Sequence, residues 1–307
     1  MTDVLVSVVI PIHNRVDAAR HAISSVLAQT VRAIEVLVVD DHSTDATPQM
    51  LAALQDSRIQ TFRHARNLGG GASRNTGIVA ASGTYLAFLD SDDWWAPEKL
   101  AQNLRVAQRL HGRWQLFNQQ RVLTEAGART SHYPQGLVRR HVSEFLFVER
   151  GPMQTSALML PTSLAKEVLF DPELPRLQDW DFHLRLGALG TRFYSQSDVL
   201  THRDARPDPR RISSQVDPAW LLAWIAARRE LVTRRGELGF LANKVAPEAI
   251  ACGDRLAAAR CLLPGLALGA VAPRQATIEL ARLCLPSRVF TWTRRARGAR
   301  TSQQEER

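Results

Sequence analysis

The chain has 307 residues, 45% of them hydrophobic and 22% charged, a composition typical of a globular protein with one large or two small domains. Its net charge is +9, and all but three of its 39 basic residues are arginine, so phosphorylated ligands, anionic lipid and nucleic acid are all admissible partners. No uncharged run is long enough to span a bilayer and the acidic start is unlike a signal peptide, so we expect a cytoplasmic protein.

Two β-branched runs near the start are typical of buried parallel strands. The first, residues 4–12, is followed by the polar loop His13-Asn14-Arg15 and by an amphipathic helix over residues 17–29, which begins at Asp17 as N-cap. The second run, residues 34–39, ends in acids that start with Asp40 and Asp41. A short helix from residue 45 and a third strand at residues 59–62 follow.

Residues 67–77 form a glycine-rich segment, which we interpret as a loop leading into a helix. The segment lacks the Gly-Lys-Ser/Thr ending of a P-loop and does not fit the spacing of a dinucleotide fingerprint. Two interpretations stay open. The loop either brings the backbone close to a ligand, with Arg74 as an anion partner, or is a tightly packed turn.

The next buried run, residues 86–89, ends in three carboxylates within four positions, Asp90, Asp92 and Asp93. Like charges at this spacing are costly unless a cation compensates them, and Mg²⁺ or Mn²⁺ takes oxygen ligands and bridges to phosphates. The alternative is an acidic first turn of the helix that starts near Pro97.

Strands alternate with helices from residue 4 to about residue 110, which predicts a mainly parallel, Rossmann-like α/β sheet flanked by helices. Ligands of such sheets bind beyond the carboxyl ends of the strands. The polar side chains singled out so far, His13, Asp40, Asp41, Asp90 and Asp92, all lie there. The sequence therefore predicts one site at this edge of the sheet.

The pattern changes after residue 110. Residues 114–122 and 151–160 are predicted strands, and a helix is predicted over residues 177–186. Asp179 stands at the start of that helix, where a carboxylate is either a cap or a general base that faces a cleft. Residues 201–214 are predicted to be a polar, basic loop able to close over an anion.

The last third of the chain reads as helices over residues 220–231, 247–260 and 273–285. A tail at residues 288–297 mixes arginine with aromatic residues, which suits an anionic membrane surface or equally a solvated terminus. We predict domains at 1–215, with a nucleotide-binding half (1–110) and an acceptor-binding half (111–215), then a helical extension at 216–297. Residues 298–307 are expected to be disordered.

Taken together, five segments resemble the family 2 glycosyltransferases of the GT-A fold, and they occur in the family's order over about residues 4–215. The matching segments are Val6-Ser7-Val8-Val9-Ile10-Pro11 with Asn14, Val38-Val39-Asp40-Asp41-His42-Ser43-Thr44-Asp45, the run from Asn67 to Gly77, Leu89-Asp90-Ser91-Asp92-Asp93, and Gln178-Asp179-Trp180-Asp181.

The resemblance implies a nucleotide pocket. Pro11, His13 and Asn14 would flank the base, with His13 where the family often has an aromatic ring. Asp41 would accept a hydrogen bond from the uracil ring nitrogen, and Asp40 would support that loop.

The resemblance also implies the reacting groups. Arg74 would contact the nucleotide or its diphosphate, Asp90 would bind the ribose, and Asp90 with Asp92 would form the family's metal-binding pair. Asp179 would deprotonate the acceptor hydroxyl, which then inverts the anomeric carbon as the diphosphate leaves on Mg²⁺ or Mn²⁺.

Two departures from the family pattern stand out. Gln178 replaces the glutamate that commonly precedes the base, so the acceptor is expected to differ if that glutamate supports acceptor binding. The family's Tyr-Arg-x-His pattern is reduced to His202-Arg203, followed by Arg210-Arg211. We assign His202 as a further metal ligand and Arg203 as a diphosphate contact.

The sequence thus predicts an inverting, metal-dependent enzyme that moves a sugar from a nucleotide-diphosphate donor, with UDP favoured by family habit, to a glycan or lipid-linked acceptor of the cell surface. It would lie in the cytoplasm, with peripheral contact to the inner face of the membrane. A sugar nucleotidyltransferase would need a Gly-rich, basic first loop, which residues 11–15 lack. A nucleic-acid-binding protein would need a concentrated basic face with aromatics, whereas these arginines are scattered.

Overall fold

The structure is a computed structural model of the chain, and it describes residues 5–206 and 216–284. Its described residues form ten strands of one sheet. The strands are β1 Val6–Ile12, β2 Ile34–Asp40, β3 Ile59–Arg63, β4 Tyr85–Phe88, β5 Asp93–Trp95, β6 Trp114–Thr124, β7 Gly127–Thr130, β8 Gly136–Leu137, β9 Leu158–Pro161 and β10 Arg192–Asp204.

Twelve α-helices are found in the same described residues. They are α1 Val16–Leu27, α2 Thr47–Ala52, α3 Gly69–Ala80, α4 Lys99–Ala107, α5 Val142–Phe147, α6 Thr162–Val168, α7 Gln178–Ala188, α8 Pro218–Ala226, α9 Arg234–Phe240, α10 Ala246–Ala251, α11 Arg255–Ala267 and α12 Pro273–Cys284. A 3₁₀ turn at Thr155–Ala157 leads into β9, and a π-helical segment at Leu241–Val245 joins α9 to α10.

The strand order is β3-β2-β1-β4-β9-β6-β10-β5, with β7 on β6 and β8 on β10. The β1–β2, β2–β3, β1–β4 and β6–β10 pairs are parallel, whereas β9 pairs antiparallel with both β4 and β6. The prediction of a mainly parallel α/β sheet flanked by helices is therefore confirmed. The predicted helices on the C-terminal side of the sheet are present as α8–α12. Because the chain runs from β1 outward to β3 and then returns to β4, the order reverses between β1 and β4.

Strands β1 and β2 are buried because they are apolar on both faces. Every residue of β1 except the partly exposed Pro11 is buried, and β2 is buried along its whole length. Helix α1 packs one side of this sheet through Ala19, Ala22, Ile23 and Val26. Helix α3 approaches the sheet closely, since a Cβ at Gly77 would lie 2.4 Å from a methyl group of Val9.

The chain separates into two compact units. The first comprises residues 1–124, 128–139 and 152–207, and it contains β1–β6 and β8–β10 with α1–α4, α6 and α7. The second comprises residues 125–127, 140–151 and 208–307, and its described helices are α5 and α8–α12. The domain boundaries predicted at residues 110 and 215 remain predictions.

Several local expectations are corrected by the structure. The glycine-rich segment is not a loop, because helix α3 already begins at Gly69. Helix α1 begins at Val16 and so Asp17 lies in its first turn rather than at the N-cap. The predicted strand at residues 151–160 is shortened to Leu158–Pro161, and the predicted helix at 247–260 is interrupted at Gly253, which has a φ of +85°.

The polar segment around His202 is the correction that matters most for the site. Residues 201–204 were expected in a loop, but they belong to β10. His202 pairs with Trp94 and Arg203 with Asp93 of β5, while the other edge of β10 pairs with β6. These ladders satisfy the backbone and fix both side chains on the sheet. The Arg210-Arg211 pair and the tail after residue 284 lie outside the described residues.

Lys99, the first residue of α4, is completely buried. Its ammonium lies 3.9 Å from the centre of the Trp95 ring, and Nζ has no hydrogen-bond acceptor among the residues that the structure describes. Burial lowers the pKa of Lys99 to about 7. The ammonium is therefore charged in the unfolded chain but loses its proton easily in the fold.

We expect Lys99→Met to stabilise the protein most at pH 6, by about 4 to 5 kcal/mol, because the wild type must bury a charge there. Between pH 7 and 10 the unfolded wild type binds the additional proton, so its free energy of unfolding should rise with pH. Urea denaturation of both proteins across this range measures the difference. A constant difference between them would contradict a buried, titrating Lys99. Lys166→Met, which removes an exposed lysine, is the matched control.

Candidate active site

The predicted site residues gather where the strand order reverses, beyond the carboxyl ends of β1, β2 and β4. The loop after β1 carries His13, Asn14 and Arg15, β2 ends at Asp40, and Asp90 follows β4 after one residue. Strand β1 pairs with both β2 and β4, so the three strand ends are neighbours. The sheet topology itself thus assembles side chains that are far apart in the sequence.

Two acids of the Asp90-Ser91-Asp92 segment are each paired with an arginine from a different element. Arg74 of α3 donates from Nη2 to Asp90 Oδ1 at 2.6 Å, and Arg15 donates from Nη1 to Asp92 Oδ2 at 2.5 Å. All four side chains are at least two-thirds buried. The pairs compensate part of the negative charge at this strand end.

The third acid, Asp93, is buried and points to the interior. The Ser156 hydroxyl donates to Asp93 Oδ2 at 2.5 Å and accepts a hydrogen bond from the backbone N–H of Asp90 at 3.1 Å. Burial, and then the negative charges of Asp90 and Asp92, raise the pKa of Asp93 well above its usual range, although the guanidinium of Arg203 opposes this. The segment therefore retains an excess of negative potential that favours a cation.

The donor set fits a divalent ion that is shared with a ligand. The described residues contain no group of three or more His, Cys, Asp or Glu side chains placed around one point. Asp90 and Asp92 offer carboxylate oxygens that are partly exposed, and a small hard cation is commonly held by one or two carboxylates together with substrate phosphates. The site thus has the chemistry for Mg²⁺ or Mn²⁺ bound with a diphosphate.

His202 and Arg203 lie on β10 beside this segment. The His202 ring stacks on Trp94, with ring centres 5.4 Å apart and planes inclined by 10°, and burial followed by the charge of Arg121 lowers the pKa of His202. Arg203 Nε is 3.9 Å from Asp93 Oδ2. Their predicted contacts with metal and diphosphate remain predictions.

Asp41 organises the loop on the other side of β1. Its two carboxylate oxygens accept the backbone N–H groups of Leu68 and Gly69 at 2.9 and 2.7 Å, and His64 Nδ1 lies 2.7 Å from Oδ1. Asp40 accepts the N–H of Ser43 and is paired with Arg63. The interaction of Asp41 with Leu68 and Gly69 explains why α3 begins so early.

The loop after β1 is fixed by hydrogen bonds to the segment that follows β2. His13 Nδ1 contacts the carbonyl of Asp41 at 2.8 Å, and Asn14 Oδ1 accepts the N–H of Thr44 at 2.7 Å. Asn14 itself has a φ of +51°, a conformation that asparagine tolerates better than most residues. The ring of His13 is exposed, so it is available to a ligand at this edge.

Asp179 lies in the first turn of α7 and is partly buried. Its Oδ1 accepts the N–H of Trp180 at 2.9 Å. Burial raises the pKa of Asp179; the charge of Arg74 acts against this and that of Asp90 adds to it. The preceding Gln178 accepts a hydrogen bond from Arg74 at 3.0 Å, which ties α7 to the Arg74–Asp90 pair.

Sequence reasoning missed three residues of this site. Arg15 was assigned only to a loop. Its position directly after Asn14, a predicted site residue, was the available signal. His64 directly follows β3, just as the acids follow β2. Because ligands of such sheets bind beyond the carboxyl ends of the strands, His64 could have been predicted as a site residue in the same way. Ser156 gave no signal, because nothing in the sequence places residue 156 beside residues 90 and 93.

A mainly parallel sheet flanked by helices, with acids beyond the carboxyl ends of its strands, is the architecture of the GT-A glycosyltransferases. The solved structure of residues 1–349 of TarS from S. aureus, in complex with UDP-GlcNAc, superimposes with a TM-score of 0.67. It is 20% identical, and the match covers 88% of this chain and 82% of that one. This likeness establishes the fold.

The chain belongs to glycosyl transferase family 2, whose family model matches residues 7–133. It is 32% identical over 259 residues to the amylovoran biosynthesis glycosyltransferase AmsB of Erwinia amylovora, covering 80% of this chain and 84% of that protein. A second relative, WfgD of Escherichia coli, is 35% identical over 128 residues, which are 40% of this chain and 51% of the relative. WfgD is named as a UDP-Glc:α-D-GlcNAc-diphosphoundecaprenol β-1,3-glucosyltransferase. The protein is therefore a glycosyltransferase.

Proposed function

We propose that the protein transfers a sugar, with inversion, from a UDP-sugar to a hydroxyl of a glycan or lipid-linked acceptor in the synthesis of a cell-surface polysaccharide. The observation that carries this proposal is that Asp90, Asp92, Arg74 and Asp179 share one sheet edge, where α7 is tied to Arg74 through Gln178. Groups that would bind the leaving diphosphate therefore lie beside the group that would deprotonate the incoming hydroxyl.

Asp179 is proposed to take the proton of the acceptor hydroxyl as that oxygen bonds to the anomeric carbon. The bond from this carbon to the diphosphate oxygen breaks, and the electron pair leaves with UDP. A divalent ion held by Asp92 and Asp90 would supply positive charge to the diphosphate. Arg74 and Arg203 would add theirs, since guanidinium groups match phosphate oxygens.

The nucleoside is proposed to lie against Pro11, His13 and Asn14, with Asp41 as the partner of the uracil ring and Asp40 as support. Support for this comes from the adjacent ends of β1 and β2 and from the exposed ring of His13. Since both oxygens of Asp41 already accept N–H groups, a uracil would share one of them or displace a loop contact. UDP is proposed as the nucleotide because TarS was solved with UDP-GlcNAc and the name of WfgD gives UDP-Glc as its donor.

A lipid-linked acceptor would bring the enzyme to the membrane surface. Helix α11 exposes Leu256, Arg260 and Leu263 on one face, while its opposite face is buried. Apolar side chains that alternate with a basic one suit the surface of an anionic membrane. No described helix has the length and hydrophobicity to cross a bilayer. Flotation with anionic vesicles tests this contact, and equal recovery of Leu256→Glu/Leu263→Glu and the wild type would exclude α11.

A hydrolysis screen of the purified protein against a panel of nucleotide sugars, with Mn²⁺, with Mg²⁺ and with EDTA, tests the function. We expect slow, metal-dependent release of UDP from one donor, and faster release when a glycan acceptor is added. Absence of binding and of turnover for every nucleotide sugar, by a folded protein, would refute the proposal.

A further inference from the structure

Arg15 has no assigned part in the proposed reaction, yet it occupies the centre of the site. It follows β1 at the point where the strand order reverses, and its guanidinium reaches 77 residues along the chain to Asp92 at 2.5 Å. Only 15% of the Arg15 side chain and 24% of the Asp92 side chain are exposed. Arg15 also stands at the N-cap position of α1 and its own side chain makes no capping hydrogen bond.

A purely structural salt bridge is the simpler interpretation, and the location argues against it. An ion pair that is largely withdrawn from water loses hydration energy that offsets much of its attraction, so stability alone explains poorly why a long side chain is ordered here. The acid it neutralises is the proposed metal ligand, in a segment where three carboxylates repel one another. The Arg15 guanidinium supplies part of the positive charge that compensates this segment.

A divalent ion and a guanidinium compete for the same carboxylate oxygen, because the lone pairs that bind one are blocked by the other. When the ion takes Asp92, the displaced guanidinium stays anchored at the end of β1. The diphosphate of the donor arrives in the same place, and its oxygens match the planar donors of arginine.

We propose that Arg15 is a further donor-binding residue, which pairs with Asp92 and would exchange it for the donor diphosphate on binding of a divalent ion. The inference rests on the proposed function, since it requires a diphosphate donor. It assigns opposite effects to one side chain: Arg15 weakens binding of the ion alone and strengthens binding of the nucleotide.

The test measures binding, without turnover. Mn²⁺ binding is followed by the electron paramagnetic resonance of the free ion, with and without UDP, and UDP binding by calorimetry at saturating Mn²⁺. For Arg15→Gln we expect Mn²⁺ alone to bind about 5-fold to 10-fold tighter, and UDP about 10-fold to 100-fold weaker, as for a lost hydrogen bond to a charged group. Arg20→Gln, an exposed change of the same charge on α1, should match the wild type.

Arg15→Lys keeps the charge but not the planar fork, so it should bind Mn²⁺ alone much as the wild type does and still bind UDP more weakly. Unchanged or weaker Mn²⁺ binding by a folded Arg15→Gln protein, or unchanged UDP binding, would overturn the inference. A wild type that binds no Mn²⁺ even with UDP would refute the metal-dependent function itself. The two failures are therefore distinguished by which protein shows them.

Discussion

Asp92→Asn should lower kcat/KM for sugar transfer by about three orders of magnitude. The change removes a charged oxygen from the proposed ion site, and loss of one preorganised electrostatic contact to a developing charge commonly costs 100-fold to 1,000-fold. The change also removes the negative charge that faces Arg15, which alters the balance of charge in the site. Steady-state kinetics at several Mn²⁺ concentrations measure the effect.

Asp17→Asn is the matched control for this change. Asp17 is an exposed carboxylate in the first turn of α1, two residues from Arg15, and its replacement removes the same charge without touching the site. It should leave kcat/KM within about 2-fold of the wild type, as for most exposed surface changes. If Asp92→Asn keeps its activity and its dependence on Mn²⁺, Asp92 is not a metal ligand.

Strands β1 and β2 could be predicted because they are apolar on both faces. β1 and β2 are continuous β-branched runs bounded by polar residues, so their type, their parallel pairing and their common edge follow from short-range patterns. The site acids could be predicted by the same reasoning, since Asp40 and Asp90 stand where such runs end. The family resemblance then added chemical roles that these patterns do not contain.

The features that could not be predicted from the sequence depend on contacts between distant segments. Gly69 reads as part of a loop, but the carboxylate of Asp41, 28 residues earlier, accepts its N–H and allows the helix to begin there. His202 reads as a loop residue, and pairing with β5 on one side and β6 on the other makes it part of a strand. Local propensity is a weak guide wherever tertiary hydrogen bonds of this kind compete with it.

The same limitation applies to the arginines of the site. A pattern shows that Arg15 and Arg74 are near strand or helix ends, but it does not show which acid each one meets. The structure pairs Arg15 with Asp92 and Arg74 with Asp90, and it adds Gln178 as a link to the helix of the proposed base. Gln178 thus links the Arg74–Asp90 pair to the helix that carries the proposed base.

Asp179→Asn should lower kcat by about 100-fold to 10,000-fold, the range expected for loss of a general base, while the KM for the UDP-sugar changes little. Because burial raises the pKa of Asp179, the neutral acid persists above the usual value of about 3.9 and activity should fall as the pH drops through the raised pKa. This acidic limb of the kcat profile should be absent from the residual activity of the Asn variant. Glu173→Gln, an exposed neighbour in the sequence, should keep it.

The melting temperature and the pH profile of Asp179→Asn together test whether Asp179 acts as a base or only as a helix cap. A carboxylate with a raised pKa in the fold costs folding free energy once it ionises, so at pH 7 the Asn variant should melt at the same temperature as the wild type or higher. Asparagine can still accept the N–H of Trp180, so the helix start is retained. A variant that keeps both its activity and its acidic limb would show that Asp179 is not the base and only caps α7. Lost activity with unchanged or increased stability would identify Asp179 as the group that takes the proton.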